Sequence, residues 1–199
     1  MKLATILSVL PMAFALPTSS GQAKRSNGAF SVMSARSASP IHLLPLNADG
    51  SYFYLGGEAS TYCPETVSKV APCPKGDVTA FVGTGAALDV SVPGGQAVYV
   101  DSNGALRFTT PHSGYMGEGA STGPFERTPA STPTGFGHWA YKGQGASGFM
   151  ACPADDNKWQ VFASLQNATV PQGDVSECLG FSAMAVQARQ NATAAWEYV

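Results

Sequence analysis

The chain has 199 residues and a formal net charge of −2 at pH 7, and only 12% of its residues are charged. No run of basic residues is longer than two, so the chain lacks the positive patch of a nucleic-acid-binding protein, and we expect no nucleic acid partner. Its 22 glycines and 14 prolines predict dense turns, a composition typical of a loop-rich secreted β protein.

The N-terminal segment is predicted to be removed rather than folded. Residues 1–15 combine a basic start, an apolar run too short for a stable membrane span and a small-residue pattern ending at Ala15, which together indicate a signal peptide. Residues 16–25 form a polar pro-segment ending at Lys24 and Arg25, a dibasic pair that kexin-type proteases cleave. A chance pair in a flexible N-terminus is the alternative. The mature chain, 26–199, is expected to form a single domain.

The hydrophobic pattern after this segment has a period of two, which predicts strands rather than helices. Residues 158–163, for example, alternate polar with apolar side chains. About ten short strands follow from such runs and from the Gly, Pro, Asn and Asp clusters between them. The predicted strands are residues 30–35, 42–46, 52–55, 79–82, 86–92, 96–102, 105–110, 137–141, 148–152, 158–163 and 180–186.

This pattern predicts an all-β fold, either a β-sandwich or a β-barrel, and leaves the choice between them open. Asn103 and Gly104 separate two strand-like runs and predict a hairpin with a type I′ turn. Residues 114–137 lack an apolar period and are expected to form a long loop. Residues 184–197 have helical leanings and are interpreted as a strand that runs into a short helix or a tail.

Four cysteines follow the signal segment, and their even number in an exported chain favours two disulfide bonds. Three connectivities are possible, and we favour the local one, in which Cys63 pairs with Cys73 and Cys152 pairs with Cys178. A zinc site is the competing interpretation, but no CxxC occurs and the histidines have no ligand spacing. We expect no metal and no cofactor.

Two sequons, at Asn167 and Asn191, are candidate N-glycosylation sites because the chain is predicted to be exported. Residues 170–173 have a loop composition, which favours Asn167 as the acceptor.

Candidate catalytic groups are few. Asp155 and Asp156 form the one carboxylate pair, but their neighbours favour a turn over catalysis or a calcium site. His42, His112 and His138 are scattered, and no nucleophile motif of the G-x-S-x-G form is present. These observations predict that the protein is not an enzyme.

Exposed aromatic rings are an alternative source of function, because they can stack on sugar rings. Trp139 and Trp159 are expected to be buried. Tyr115, Phe125 and Phe136 lie in or at the end of the predicted long loop and are therefore the candidate ligand contacts.

Five segments, in order along the chain, carry a family resemblance: "SARSASPIHLLPLNADGSYFYLG" (34–56), "QAVYVDSNGALRFTT" (96–110), "FMACP" (149–153), "KWQVFA" (158–163) and "ECLGFSAMAVQ" (177–187). Together with the placement of Cys63, Cys152 and Cys178, they resemble the fungal phialide cell-wall protein family, PhiA, whose members include IgE-binding allergens.

The resemblance implies a secreted, glycosylated, non-enzymatic wall or surface protein linked to phialide and conidium development, and it implies no catalytic residues. Because residues 196–199 include no apolar tail, no GPI anchor is expected. Wall polysaccharide or wall glycoproteins are the expected partners, and the oligomeric state stays open. A polysaccharide-binding module or effector of the same fold, and a hydrolase built around Asp155 and Asp156, are the alternatives.

Overall fold

The computed structural model describes residues 28–132, 135–188 and 193–199. Ala15, Lys24 and Arg25 lie outside the described residues, and so does Asn191. Within the described ranges, no helix is long and apolar enough to cross a membrane.

The described residues form fourteen strands and three very short helical segments. The strands are β1 (Phe30–Ala35), β2 (Leu46–Asp49), β3 (Tyr52–Leu55), β4 (Thr61–Tyr62), β5 (Phe81–Val82), β6 (Ala87–Leu88), β7 (Val98–Val100), β8 (Leu106–Phe108), β9 (Phe125–Thr128), β10 (Gly137–Tyr141), β11 (Phe149–Pro153), β12 (Trp159–Ala163), β13 (Leu179–Gln187) and β14 (Glu197–Tyr198). The helical segments are α1 (Glu65–Ser68) and two 3-10 turns, Asp155–Asn157 and Val175–Glu177.

All pairs between these strands are antiparallel. The main sheet has the order β6-β5-β1-β13-β11-β12-β3-β8-β7, with β10 beside β13, β9 beside β10 and β2 beside β3, while β14 pairs with β4. An isolated bridge between Ala87 and Ala97, rather than a ladder, lies between the two ends of this path. The sheet is therefore not a closed barrel, and the architecture agrees with the β-sandwich alternative.

The strand β13 joins the two halves of the sheet. Residues Ser182 to Gln187 pair with β1 on one side, and the opposite side of β13 pairs with β10 and then with β11. Because both sides supply backbone partners, the chain stays extended as far as Gln187. The strand predicted at the start of residues 184–197 is therefore confirmed as the end of β13, and of the two continuations left open, a short helix or a tail, the described residues 193–199 contain β14 and no helix.

Other predicted strands are displaced or shortened. Residues 42–44 form a turn in which Leu43 has a φ of 61°, and the strand predicted at 42–46 instead begins at Leu46. The predicted strand 86–92 shrinks to β6, since the Val92 N–H donates to the carbonyl of Trp196 in the C-terminal segment. The predicted loop 114–137 contains the strand β9, which pairs with β10.

The hairpin between β7 and β8 forms, but its turn is not the predicted type I′. Gly104 has a φ of 88°, whereas Asn103 does not have the positive φ that a type I′ turn requires. The Gly104 N–H donates to the Asp101 carbonyl at 3.0 Å, and the Asp101 N–H donates to the Ala105 carbonyl at 3.0 Å. This is a type I turn followed by a glycine bulge. The Asp101 carboxylate stabilises it by accepting the N–H groups of Asn103 and Ala105.

An aromatic cluster centred on Trp139 forms much of the core. Its ring centroid lies 4.6 Å from that of Phe149, 4.7 Å from that of Phe81 and 5.5 Å from that of Phe125. The indole N–H donates to the carbonyl of Thr84 at 3.0 Å, so the polar atom of this buried ring is satisfied. The alternation of β10 places Trp139 and Tyr141 inside, as the period of two predicts.

A buried hydrogen-bond network around Gln96 and Tyr198 joins the C-terminal strand β14 to the rest of the fold. The Gln96 side chain donates to the carbonyls of Thr109 and Tyr198 and accepts the Tyr198 N–H, all at 2.8–2.9 Å. The Tyr198 hydroxyl donates to the Val78 carbonyl at 2.7 Å and accepts the Ala80 N–H at 3.2 Å. Burial raises the pKa of Tyr198 far above its usual value, so this hydroxyl stays protonated.

Candidate functional site

The three aromatic residues predicted to contact a ligand differ in how exposed their side chains are. The Tyr115 side chain is 82% exposed and Phe136 is 55% exposed. Phe125 is only 5% exposed and its ring stacks on Trp139, because it is the first residue of β9 and points into the core. Phe125 was therefore wrong as a ligand contact, and the structure does not bring Phe136 to the groove that Tyr115 lines.

Tyr115 lines a groove together with two residues, Tyr99 and Arg107, from a row of side chains on one face of the sheet. Register places Tyr99 of β7 opposite Arg107 of β8, and Arg107 opposite Tyr52 of β3. Directly paired residues lie on the same face, so the three side chains are neighbours. The alternation of these strands sends Val98, Phe108 and Phe53 into the core and leaves this row on the opposite face, where Tyr52 and Arg107 are partly exposed and Tyr99 is buried.

Arg107 holds the middle of this row. Its guanidinium carbon lies 4.3 Å from the centroid of the Tyr52 ring, within the range of a cation–π contact. Its terminal Nη1 lies 3.7 Å from Oδ2 of Asp101, the same carboxylate that stabilises the hairpin turn. The side chain is 28% exposed, and its buried Nε has no hydrogen-bond partner within the described part of the chain.

An open groove of about 240 Å³ lies beside Arg107, and we call it the Tyr115 groove. Its lining includes Ser51, Tyr99, Arg107, Thr110 and Tyr115. Burial is the main cause that raises the pKa of Tyr99, with the Arg107 cation acting in the opposite direction.

The loop that carries Tyr115 is anchored at both ends. The Ser113 N–H donates to the carbonyl of Thr110 at 3.1 Å, and the Tyr115 N–H donates to Oγ of Ser113 at 3.2 Å. After the loop, Ser121 and Val100 exchange two backbone hydrogen bonds of 2.8 Å. These contacts order the two ends of the loop, and the Tyr115 ring between them is exposed.

A charged pair continues the same face away from the groove. The Lys158 ammonium lies 3.0 Å from Oδ2 of Asp49 and 5.5 Å from the centroid of the Tyr54 ring. The hydrogen bond to Asp49 is the main cause that raises the pKa of Lys158. Burial is the main cause that raises the pKa of Tyr54.

A second groove, of about 420 Å³, has residues of β9, β10 and β13 in its lining, and it includes Arg127, Thr132 and Gln187. Arg127 has a structural role, since its guanidinium carbon lies 4.2 Å from the centroid of Phe30 and the side chain donates to the Gly28 carbonyl.

The titratable residues singled out in the sequence lie at turns and on open surface. Asp155 and Asp156 belong to a 3-10 turn in which Asp156 has a φ of 59°, and Asp155 accepts a hydrogen bond from Gln172. Nδ1 of His138 lies 3.1 Å from Oγ of Ser182 on the exposed side of β10 and β13. Neither residue of this Ser–His pair is among those that line the two grooves.

The four cysteines form two disulfide bonds with the favoured local pairing, Cys63–Cys73 and Cys152–Cys178. Cys152 is fully buried beside Phe162 and Met150, in a small cluster that the segment around Cys178 covers. Asn167 is exposed in the loop after β12, where a glycan has room. Its neighbour in the sequon, Thr169, donates its N–H to the Asn103 carbonyl at 2.9 Å.

Sequence reasoning missed Tyr99, Arg107 and Asp101 as parts of this surface. A usable signal was present, because Tyr99 and Arg107 are the middle residues of two short runs joined by a predicted hairpin. Placing them side by side required the register, and the register depends on the turn type, which was predicted incorrectly.

Comparisons with known proteins agree with the resemblance found in the sequence. Residues 30–199 match the family described as PhiA-like secreted protein. The chain is also 42% identical over 162 residues to an uncharacterized secreted protein of Arthroderma benhamiae, an alignment that covers 79% of each chain. No solved structure matches the chain. The chain belongs to the PhiA-like secreted protein family.

Proposed function

We propose that the protein is a secreted, non-enzymatic glycoprotein of the fungal cell wall or cell surface, associated with phialide and conidium development. Membership in the PhiA-like secreted family over residues 30–199 is the observation that carries this proposal. The link to the wall and to development rests on the family resemblance. The expected wall partners are polysaccharides or other wall glycoproteins.

The geometry of the described residues supports a structural rather than a catalytic role. The buried polar side chains of Gln96 and Asp101 hold turns and strands together through backbone hydrogen bonds. Asp155 and Asp156 lie at a turn, and the Ser182–His138 pair lies on open surface. An acid, a base and a nucleophile that converge on one cleft would be expected of a hydrolase.

Processing and glycosylation belong to this proposal. We expect the mature N-terminus at Ser26, a glycan on the exposed Asn167, and a second glycan on Asn191. Intact mass of the secreted protein, before and after amidase treatment, tests each of these points. A mature N-terminus near Leu16, or a mass unchanged by amidase, would contradict the corresponding part of the proposal.

Surface labelling tests the proposed location. Antibodies against the purified protein should label intact, unpermeabilised phialides and conidia of the wild type and not those of a deletion strain. The deletion strain should also form fewer normal phialides, and the unmutated gene should restore them. Labelling confined to permeabilised cells would contradict a wall or surface location.

A further inference from the structure

We propose that the Tyr115 groove binds a neutral chain of β-linked, equatorially substituted pyranoses, the chemistry that β-glucan and chitin share. This inference deepens the proposed function, on which it rests, by assigning a site and a ligand class to retention in the wall. It depends on three features of the groove: an exposed aromatic ring, a charge-balanced arginine and a hydroxyl-bearing lining.

The first feature is the Tyr115 ring. An 82% exposed tyrosine covers none of the core, so its ring is free to stack on a ligand. The hydrogen bond from its backbone N–H to Ser113 and the Val100–Ser121 bridge hold the loop in place, which reduces the entropy lost on binding. An aromatic face packs well against a pyranose whose substituents are all equatorial, because the C–H groups then form a flat apolar surface.

The second feature is Arg107. One face of its guanidinium lies over Tyr52, and the side chain, 28% exposed, lines the groove. A planar donor group of this kind binds ligand oxygens with defined geometry. Asp101 lies 3.7 Å away and balances the charge, which favours a neutral ligand over an acidic one.

The third feature is the lining between these two residues. Ser51 and Thr110 flank the groove, and the mostly buried Tyr99 completes this part of the lining. Hydroxyl groups both donate and accept, and they therefore match the hydroxyls of a sugar. At about 240 Å³ the groove is smaller than the clefts of roughly 300–1,000 Å³ that enclose drug-sized ligands. An open groove of this size suits one segment of a long chain rather than an enclosed small molecule.

The test is co-sedimentation of the purified secreted protein with insoluble β-glucan, with chitin and with mannan, whose axial hydroxyl interrupts the flat sugar face. We expect binding to β-glucan, chitin or both, weaker binding to mannan, and little dependence on salt because the ligand is neutral. The separate β-glucan and chitin arms identify which polymer is the ligand.

Matched variants locate the site. Tyr115→Ala should weaken binding about tenfold or more, whereas Tyr115→Phe, which keeps the ring, should bind nearly as well as the wild type. Tyr62→Ala is the control, since Tyr62 is also an exposed tyrosine but does not line the groove. Arg107→Lys should also weaken binding, because lysine lacks the planar fork of donors.

The inference would be overturned if the wild type sedimented with neither β-glucan nor chitin, or if salt abolished the binding. It would also be overturned if Tyr115→Ala bound as well as the wild type, or if Tyr62→Ala lost as much polysaccharide binding as Tyr115→Ala. Tyr115 is exposed, so its variants are expected to fold even if Arg107→Lys does not. Surface labelling of cells without polysaccharide binding would refute this site while leaving the proposed function intact. Polysaccharide binding without surface labelling would refute the proposed location instead.

Discussion

Tyr198 is at the centre of the buried hydrogen-bond network that joins the C-terminal strand to the rest of the fold. Its hydroxyl connects the backbone at Val78 and Ala80, and its own backbone is bonded to Gln96. We expect Tyr198→Phe to lower the free energy of unfolding by about 1–3 kcal/mol, because a carbonyl and an N–H lose their partner in a buried site. Urea denaturation measures this change, and Tyr62→Phe, at an exposed position, is the control.

The same residue makes the stability depend on alkaline pH. Burial raises the pKa of Tyr198 in the folded protein, so its contribution is fully present below the unfolded tyrosine value of about 10 and is lost as pH rises toward the folded pKa. Tyr54 and Tyr99 shift in the same direction. The wild type should therefore lose stability above about pH 10, and Tyr198→Phe should lose less over that range. Equal slopes for the two proteins would refute this assignment.

Phe125 and Phe136 allow a buried aromatic ring to be compared with an exposed one. Phe125→Ala should destabilise the fold by about 3–5 kcal/mol, because it removes a buried ring that stacks on Trp139. Phe136→Ala should change stability by less than about 0.5 kcal/mol. Thermal unfolding of both variants checks the difference, and a stable Phe125→Ala protein would contradict the burial of this ring.

At the residue scale, composition and period predicted burial better than they predicted ligand contact. The alternation of residues 137–141 correctly placed Trp139 inside. Phe125 lies in a polar, Pro- and Gly-rich stretch with no visible period, so nothing local to it indicated the strand that turns it inward. Its burial depends on pairing with β10, which is a tertiary effect.

The turn between β5 and β6 packs closely against Trp139 of β10. Gly85 has a φ of 91°, and a Cβ atom added there would lie 2.1 Å from Nε1 of Trp139. Gly94 has a φ of 88°, and a Cβ there would meet no atom within 4 Å. The two glycines therefore share the same backbone strain and differ in crowding.

Alanine substitutions at these two positions should differ for that reason. Gly94→Ala should cost about 1 kcal/mol from backbone strain alone. Gly85→Ala should cost about 1–3 kcal/mol more, because it also displaces the core indole. Denaturant titration gives both values, and a change in tryptophan fluorescence should accompany Gly85→Ala but not Gly94→Ala. Equal costs would contradict the close approach of the turn to Trp139.

At the element scale, strands whose partners lie nearby along the chain, or whose alternation is clear, were predicted well. Residues 180–186 are one example, since the predicted strand forms and extends to Gln187. The strand predicted at residues 86–92 is shorter than expected, because its last residues contact a segment far along the chain. The Val92 N–H donates to the carbonyl of Trp196, a contact that no local sequence pattern indicates.

The two disulfide bonds act on the molecule as a whole. Removing Cys63–Cys73 by replacing both cysteines with serine should cost roughly 2–4 kcal/mol through the freed loop. The same replacement of Cys152–Cys178 should cost more, because this bond closes a longer segment and because Cys152→Ser would place a hydroxyl in a fully buried apolar site. Urea midpoints of the two variants make the comparison, and a smaller loss for the second pair would contradict its core position.

Retention in the wall is the central claim, and sequential extraction of washed mycelial and conidial walls tests it most directly. Walls of the wild type are extracted first with hot detergent and then with glucanase or chitinase, and each fraction and the culture fluid are assayed for the protein. We expect most of the protein in the wall fractions, and less of it there in the Tyr115→Ala strain than in the Tyr62→Ala strain. Protein found only in the culture fluid would contradict the account.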